Sequence, residues 1–281
     1  MKAMKDLIRV PRLQVFILIS LLITTACRKE KDAPLCILGA FEDEISLLED
    51  KLADREVVDL GGIRILKGTL SGKEVVIAFT GIGKVNAAMT TTLMLEHYEP
   101  YAVIFSGIAG AINPELSPAD LVISERCVYH DLNYVYDDTL ISYQVRNPIN
   151  RKMNPVFFDA DSSLLAICRK ISKEIRFNPV ILPSDTLYPK IVFGTIATGD
   201  SFIASGKKNS ELIKRFGADA VEMEGAAVAQ ICHQRGIPFV VIRSISDSAD
   251  ENAGIDIETF YQTSARNANL MVLDLVEKIQ E

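Results

Sequence analysis

Short apolar runs that end in glycine or a polar residue and give way to helical stretches recur along this chain, and that alternation limits the fold more than any other feature. Residues 35–40 (LCILGA) have the unbroken apolar character of a strand buried on both faces. Phe41-Glu42-Asp43-Glu44 is then expected to open a helix, its early acids favoured by the positive end of the helix dipole. Residues 61–70 and 73–80, separated by Ser71-Gly72, read as a β-hairpin, and Gly81-Ile82-Gly83-Lys84 leads into a helix over about 85–98. Residues 101–105 (YAVIF) form a further strand ending in Ser106-Gly107-Ile108-Ala109-Gly110, and 121–124 follow as another.

The region from about 130 to 155 is rich in Tyr, Asn and Asp without clear periodicity and is expected to be a long loop that closes over a ligand or meets a second subunit. Beyond it the spacing predicts a helix over 162–175, a strand over 191–198, a helix over 209–216 and a strand over 218–222. A helix over 224–235 stops at Gly236, a strand covers 238–244, and a long helix covers 257–279. Such β/α alternation implies one α/β domain with a mixed, largely parallel sheet covered by helices on both faces. Sheets of this kind bind ligands at the carboxyl ends of their strands. Glu44, Thr80, Asp200, Glu222, Glu224 and Asp247 all fall at or just after expected strand ends and are the first candidates for a site.

The first thirty residues have a different character. Lys2, Lys5, Arg9 and Arg12 precede an apolar run over 15–23, followed by Thr24-Thr25-Ala26-Cys27. This is the pattern of a signal peptide over 1–26, and the run falls short of the ~20 residues that span a bilayer. Cys27 after Ala26 resembles the lipidation site of bacterial lipoproteins, although Thr24 stands where that pattern prefers Leu. Cleavage without a lipid and retention as an anchor are the alternatives. Lipidation would leave 27–34 as a tether, 35–281 as the folded domain, and the protein exported and held on a membrane. Cys36, Cys127, Cys168 and Cys232 are read as buried free thiols, because Cys36 lies in an apolar strand and Cys168 and Cys232 in helices with apolar periodicity, with one or two disulfides as the alternative in an oxidising compartment.

A net charge of −7 offers no footprint for nucleic acid, which is held by clustered Lys and Arg. His97, His130 and His233 lie far apart without ligand spacing, so no metal is expected.

The segments GAFEDE (39–44), TGIGKV (80–85), GIAG (107–110), TGDSFI (198–203), VEME (221–224) and RSISDSAD (243–250) resemble, in this order, the nucleoside phosphorylase/nucleosidase superfamily, and within it the 5′-methylthioadenosine/S-adenosylhomocysteine nucleosidases. The similarity runs from about residue 35 to 281. It implies a three-layer α/β/α fold around a twisted, barrel-like mixed sheet, a homodimer, no cofactor, and hydrolysis of an N-glycosidic bond in a purine nucleoside.

That hydrolysis requires a protonated leaving base, a stabilised oxocarbenium and an activated water on the opposite sugar face. The resemblance implies Asp247 as the general acid at adenine N7 and Glu44 as the group that activates water. By analogy with inverting glycosidases the two carboxyls should lie roughly 6.5–9.5 Å apart. Glu224 corresponds to the residue that binds the ribose hydroxyls, with Met223 against the sugar and Glu222, Thr80 and Gly83 beside it. Phe202 matches the ring stacked on adenine, and the Ile203 backbone the edge that reads the base. Arg243 and Ser246 match supports for the acidic residues, and Phe41, Ile82 and Phe260 are wall residues for the 5′-alkylthio group. Without the resemblance, Asp247 reads as a turn cap, Glu44 as an ordinary first-turn acid and Phe202 as core.

Two other functions fit parts of this pattern. A phosphate-dependent phosphorylase could use the glycine turn before the helix at Lys84 as an anion site. Glu44 opposes that, since a carboxylate ~4 Å from phosphate repels it by about 4 kcal/mol per unit charge at an effective dielectric of ~20. A surface nucleoside-binding or adhesion lipoprotein would suit the leader but has no use for both Glu44 and Asp247.

Overall fold

The computed structural model describes residues 33–137, 139–182, 186–251 and 253–279. The basic leader, the apolar run and Cys27 lie outside these residues. Strand β1 (Leu35–Gly39) is wholly buried, as its sequence requires, and is followed by the short helix α1 (Ser46–Lys51). An antiparallel meander comes next: β2 (Ala53–Leu60), β3 (Ile63–Leu70) and β4 (Lys73–Phe79). Helix α2 (Lys84–Tyr98) leads to β5 (Ala102–Ala111) and β6 (Leu121–Tyr129). A hairpin of β7 (Asn133–Tyr136) and β8 (Thr139–Ser142) and the short β9 (Phe157–Asp159) precede helix α3 (Ser162–Glu174). Two-residue strands β10 (Val180–Ile181) and β11 (Thr186–Leu187) pair with each other. The chain ends with β12 (Ile191–Thr198), α4 (Gly206–Phe216), β13 (Ala218–Glu222), α5 (Gly225–Arg235), β14 (Phe239–Asp247) and α6 (Ala253–Lys278).

The main sheet runs β13-β12-β6-β14-β5-β1-β4-β3-β2, and β13 also pairs with β5. That last pairing closes β5, β14, β6, β12 and β13 into a five-stranded barrel, with β1 to β4 as an open extension. Helix α6 packs on β14 and β5 with α1 and α3 against it, while α2 and α5 pack together and α5 lies on β12, β14 and β6. The fold is therefore the mixed, barrel-centred α/β architecture expected from the sequence. Its core is continuous from β1 through β5 and β14 to the inner faces of the helices. Cys36, Cys127, Cys168 and Cys232 are buried and unbridged, and burial raises the Cys36, Cys127, Cys168 and Cys232 thiols well above their ordinary value, so they are inert core groups.

Five local expectations are corrected. Residues 41–45 form a turn and not the first turn of a helix, because the Glu44 carboxylate accepts the N–H groups of Ala40 and Phe41 at 2.6 and 3.0 Å and curls the chain back on itself. Strand β5 does not stop at its glycines but continues in register with β14 to Gly110. Strand β14 in turn runs on to Asp247, with a register shift after Ile245 that inserts Ser246 as a bulge. The 130–155 region contains the β7–β8 hairpin and a bridge between Arg146 and Met153, where an unstructured loop was expected. Strand β2 was not foreseen: it is an edge strand whose charged residues mask any apolar alternation.

Candidate active site

Glu44 sits in the turn after β1 and is almost fully buried. Its Oε2 takes the Ala40 and Phe41 amides, and its Oε1 accepts the N–H of Ile108 on β5 at 2.9 Å. Burial raises its pKa, against the lowering effect of Arg243 and of the three amides. Glycine at 107 is a steric requirement, since a Cβ there would lie 1.9 Å from Arg243 Nη1 and 2.5 Å from Glu44 Oε1.

Arg243, on β14, is completely buried with its guanidinium 4.1 Å from the centre of the Phe105 ring. A lone cation could not remain charged at such a position. Burial works against its charge, but Glu222, Glu44 and Glu224 outweigh burial and raise its pKa. Nη2 bonds Glu222 Oε2 and lies 3.5 Å from Glu224 Oε2. Glu222 is further occupied: Oε1 accepts the Thr198 hydroxyl, and Oε2 accepts the N–H groups of Glu224 and Gly225 at 3.1 and 2.7 Å. The Glu222 carboxylate thus anchors Arg243 and the start of α5.

Glu224 Oε1 accepts the N–H of Gly83 at 2.7 Å, tying the end of β13 to the turn before α2. Burial, and then the neighbouring charge of Glu222, push its carboxyl up to about 8. Asp247 is also buried, with Oδ2 accepting the Ser246 hydroxyl at 2.7 Å and Oδ1 the N–H of Ala249 at 2.8 Å. Burial raises its pKa, the two hydrogen bonds restrain the rise, and Asp256 and Asp250 add to it. A Cβ on Gly110 would lie 2.8 Å from Asp247 Oδ1, so a second glycine of β5 clears space for a second carboxylate. Glu44 is bonded at Ile108 and Asp247 is in register with Gly110. Two residues of strand, about 7 Å at ~3.3 Å per residue, separate Ile108 from Gly110.

Asp247 opens onto a small cleft of about 30 Å³ lined by Gly110, Phe202, Ile203, Glu222 and Met223. A wider groove between α1, residues 178–181 and α6 contains none of Glu44, Glu224 and Asp247. The paired carboxyls therefore locate the chemistry better than groove size does.

Residues 34–277 match the family described as the phosphorylase superfamily. The chain belongs to that superfamily. A 5′-methylthioadenosine/S-adenosylhomocysteine nucleosidase from Neisseria meningitidis, solved with methylthio-immucillin-A, is 32% identical, with 88% of this chain and 100% of that one covered and a TM-score of 0.75. The corresponding nucleosidase from Helicobacter pylori, solved with butyl-thio-DADMe-Immucillin-A, is 34% identical over 89% and 100% of the two chains, with a TM-score of 0.77. Futalosine hydrolase of Helicobacter pylori is 33% identical over 88% and 98%, with a TM-score of 0.75. The chain is a nucleosidase-type enzyme that hydrolyses an N-glycosidic bond.

The remaining expected residues divide into three groups in this nucleosidase. Phe202, Ile203 and Met223 line the cleft with Asp247, and Phe202 is 57% exposed and so is not a core side chain. Phe41 and Ile82 are exposed apolar side chains at the turns that carry Glu44 and Gly83. Thr80 is buried and its hydroxyl donates to Gly81 O, so it braces the turn, while Phe260 is buried in α6. Sequence reasoning overlooked Tyr261, whose ring packs edge-on to Phe41 at 6.2 Å, and Thr198, whose hydroxyl donates to Glu222 and accepts from Ala226 N. Thr198 opens the TGDSFI motif; Tyr261 carries no sequence signal beyond its place beside Phe260.

Proposed function

We propose that this nucleosidase hydrolyses 5′-methylthioadenosine and S-adenosylhomocysteine, with water as the nucleophile, releasing adenine and the 5′-thioribose product. Asp247 protonates or hydrogen-bonds N7 of the departing adenine, and its raised pKa favours the protonated form that this role needs. Glu44 orients and deprotonates water on the opposite face, and Glu224 holds the ribose hydroxyls by hydrogen bonds. Phe202 stacks on the base, Ile203 reads its edge, and Met223 packs against the ribose.

The observation that carries the choice of water over phosphate is the state of the α2 N-terminus. Its amides are the anion site a phosphorylase would need, yet Gly83 N donates to Glu224 and Lys84 N donates to Asp200 at 2.8 Å. Carboxylates already hold both donors, and the buried Glu44 adds a further negative group. Adenine release by purified protein from 5′-methylthioadenosine is expected to be the same with and without phosphate and to yield free 5′-methylthioribose. A rate that needs phosphate, with a sugar phosphate as product, would establish the phosphorylase instead.

Similarity to futalosine hydrolase supports a second substrate reading. Parallel assays with futalosine separate the two by the larger kcat/KM. We also propose that the leader directs export and that Cys27 carries a lipid. Membrane association of the full chain, lost in Cys27→Ser, is the expected result; a soluble wild-type protein would contradict it.

A further inference from the structure

Three residues, Lys84 and Asp200 from the quoted motifs and Asp131 from the turn after β6, have no substrate role in this reading, yet they converge. Lys84 opens α2, Asp131 follows β6 and Asp200 follows β12. Lys84 Nζ donates to Asp131 Oδ2 at 2.6 Å and lies 3.5 Å from Asp200 Oδ2. Asp131 Oδ2 also accepts the N–H of Asp200 at 2.9 Å, and Asp200 Oδ1 accepts the backbone N–H of Lys84 at 2.8 Å. The ammonium also faces the Tyr129 ring at 5.6 Å. Single exposed ion pairs contribute little, but here backbone and side-chain contacts close a ring among the start of α2 and the ends of β6 and β12, which fixes geometry as well as charge.

This ring lies at the start of residues 199–205, the segment that carries Phe202 and Ile203. Gly199 is pressed against His130, since a Cβ there would sit 2.3 Å from His130 Cε1. At the other end Ser205 N donates to Ala249 O at 2.8 Å, and Ala249 N donates to the Asp247 carboxylate. One residue before Lys84, Gly83 N holds Glu224. The segment is therefore fastened on one side next to the anchor of Glu224 and on the other to the turn of Asp247.

We propose that Lys84, Asp131 and Asp200 form a latch that holds the Phe202 segment in register with Glu224, making Lys84 a positioning residue that sets affinity for the base and not the rate of bond cleavage. The affinity part rests on the nucleosidase reading; the latch itself does not. Two measurements on the full chain test it. Hydrogen–deuterium exchange over 199–205 is expected to be at least about tenfold faster in Lys84→Met and Asp131→Asn and unchanged in Lys84→Arg. In adenine release, Lys84→Met is expected to raise KM about tenfold with kcat within about twofold. Because the latch acts through Phe202, adding Lys84→Met to Phe202→Ala should raise KM by less than about twofold more. Unchanged exchange in both latch variants, a lower kcat at unchanged KM, or KM effects of Lys84→Met and Phe202→Ala that multiply would overturn the proposal. Should Lys84→Met not fold, Asp131→Asn, a near-isosteric change at the same contacts, decides alone. Faster exchange in variants of a wild type that releases no adenine would keep the latch and remove the nucleosidase reading.

Discussion

Glu44 and Arg243 come together over a bare stretch of backbone at Gly107, so the polar centre of this protein is built as much by an absent side chain as by charged ones. Around the single guanidinium stand Glu44, Glu222 and Glu224, and an excess of buried negative charge is relieved by holding a proton. Burial and the neighbouring charge of Glu222 move the Glu224 carboxyl from 4.5 up to about 8. Glu44 and Asp247 shift in the same direction. A carboxyl whose folded pKa is raised contributes stability that is complete below its unfolded value and is lost as pH rises through the folded one. The melting temperature of the unliganded protein is therefore expected to fall between pH 5 and about pH 8.5, and Glu224→Gln should flatten that slope. Glu49 and Glu211, whose pKa values are lowered by Arg and Lys partners, act with the opposite sign, but only below their ordinary range. A melting temperature that climbs over the same interval would contradict the charge arrangement.

At the scale of elements, the readable parts are those in which one physical demand dominates. Strands β1, β4, β12 and β14 are largely buried and their apolar runs show it; helices α3 and α5 declare their ends through the Asp161 cap and Gly236, whose φ of 69° favours a residue without a side chain. Strand β2 and the β7–β8 hairpin were hidden because most of their residues face outward and carry no burial pattern. The hairpin leaves Tyr134, Val135, Tyr136 and Ile141 exposed, each by more than half. A two-stranded ribbon is marginal by itself, and so apolar a surface calls for a partner. We propose that the partner is a second copy of this chain. Val135→Asp with Ile141→Asp is expected to halve the mass in solution from dimer to monomer, as measured by light scattering. A wild type that is already monomeric would contradict it.

Over the whole molecule, the site was legible where it depends on order along the chain and opaque where it depends on closure in space. Glu44, Glu224 and Asp247 each follow or end a strand, and the sheet brings those ends together, so their grouping could be read from the alternation and the six motifs. Nothing in the sequence distinguishes Glu222, turned inward to Arg243, from Glu224 two residues later; that depends on β13 closing against β5 and on α5 starting immediately behind it. The Ile108 amide that holds Glu44 could not be found from side-chain chemistry at all, because the donor is backbone. The central claim is that two buried carboxyls, Glu44 held at Ile108 of β5 and Asp247 at the end of β14, cleave one N-glycosidic bond between them. Adenine release from 5′-methylthioadenosine by Glu44→Gln and Asp247→Asn, with binding of the same nucleoside followed by equilibrium dialysis, tests it most directly. Each variant is expected to lose about 100-fold to 10,000-fold in kcat while still binding the nucleoside; a variant within about tenfold of the wild-type rate at either position would contradict the account.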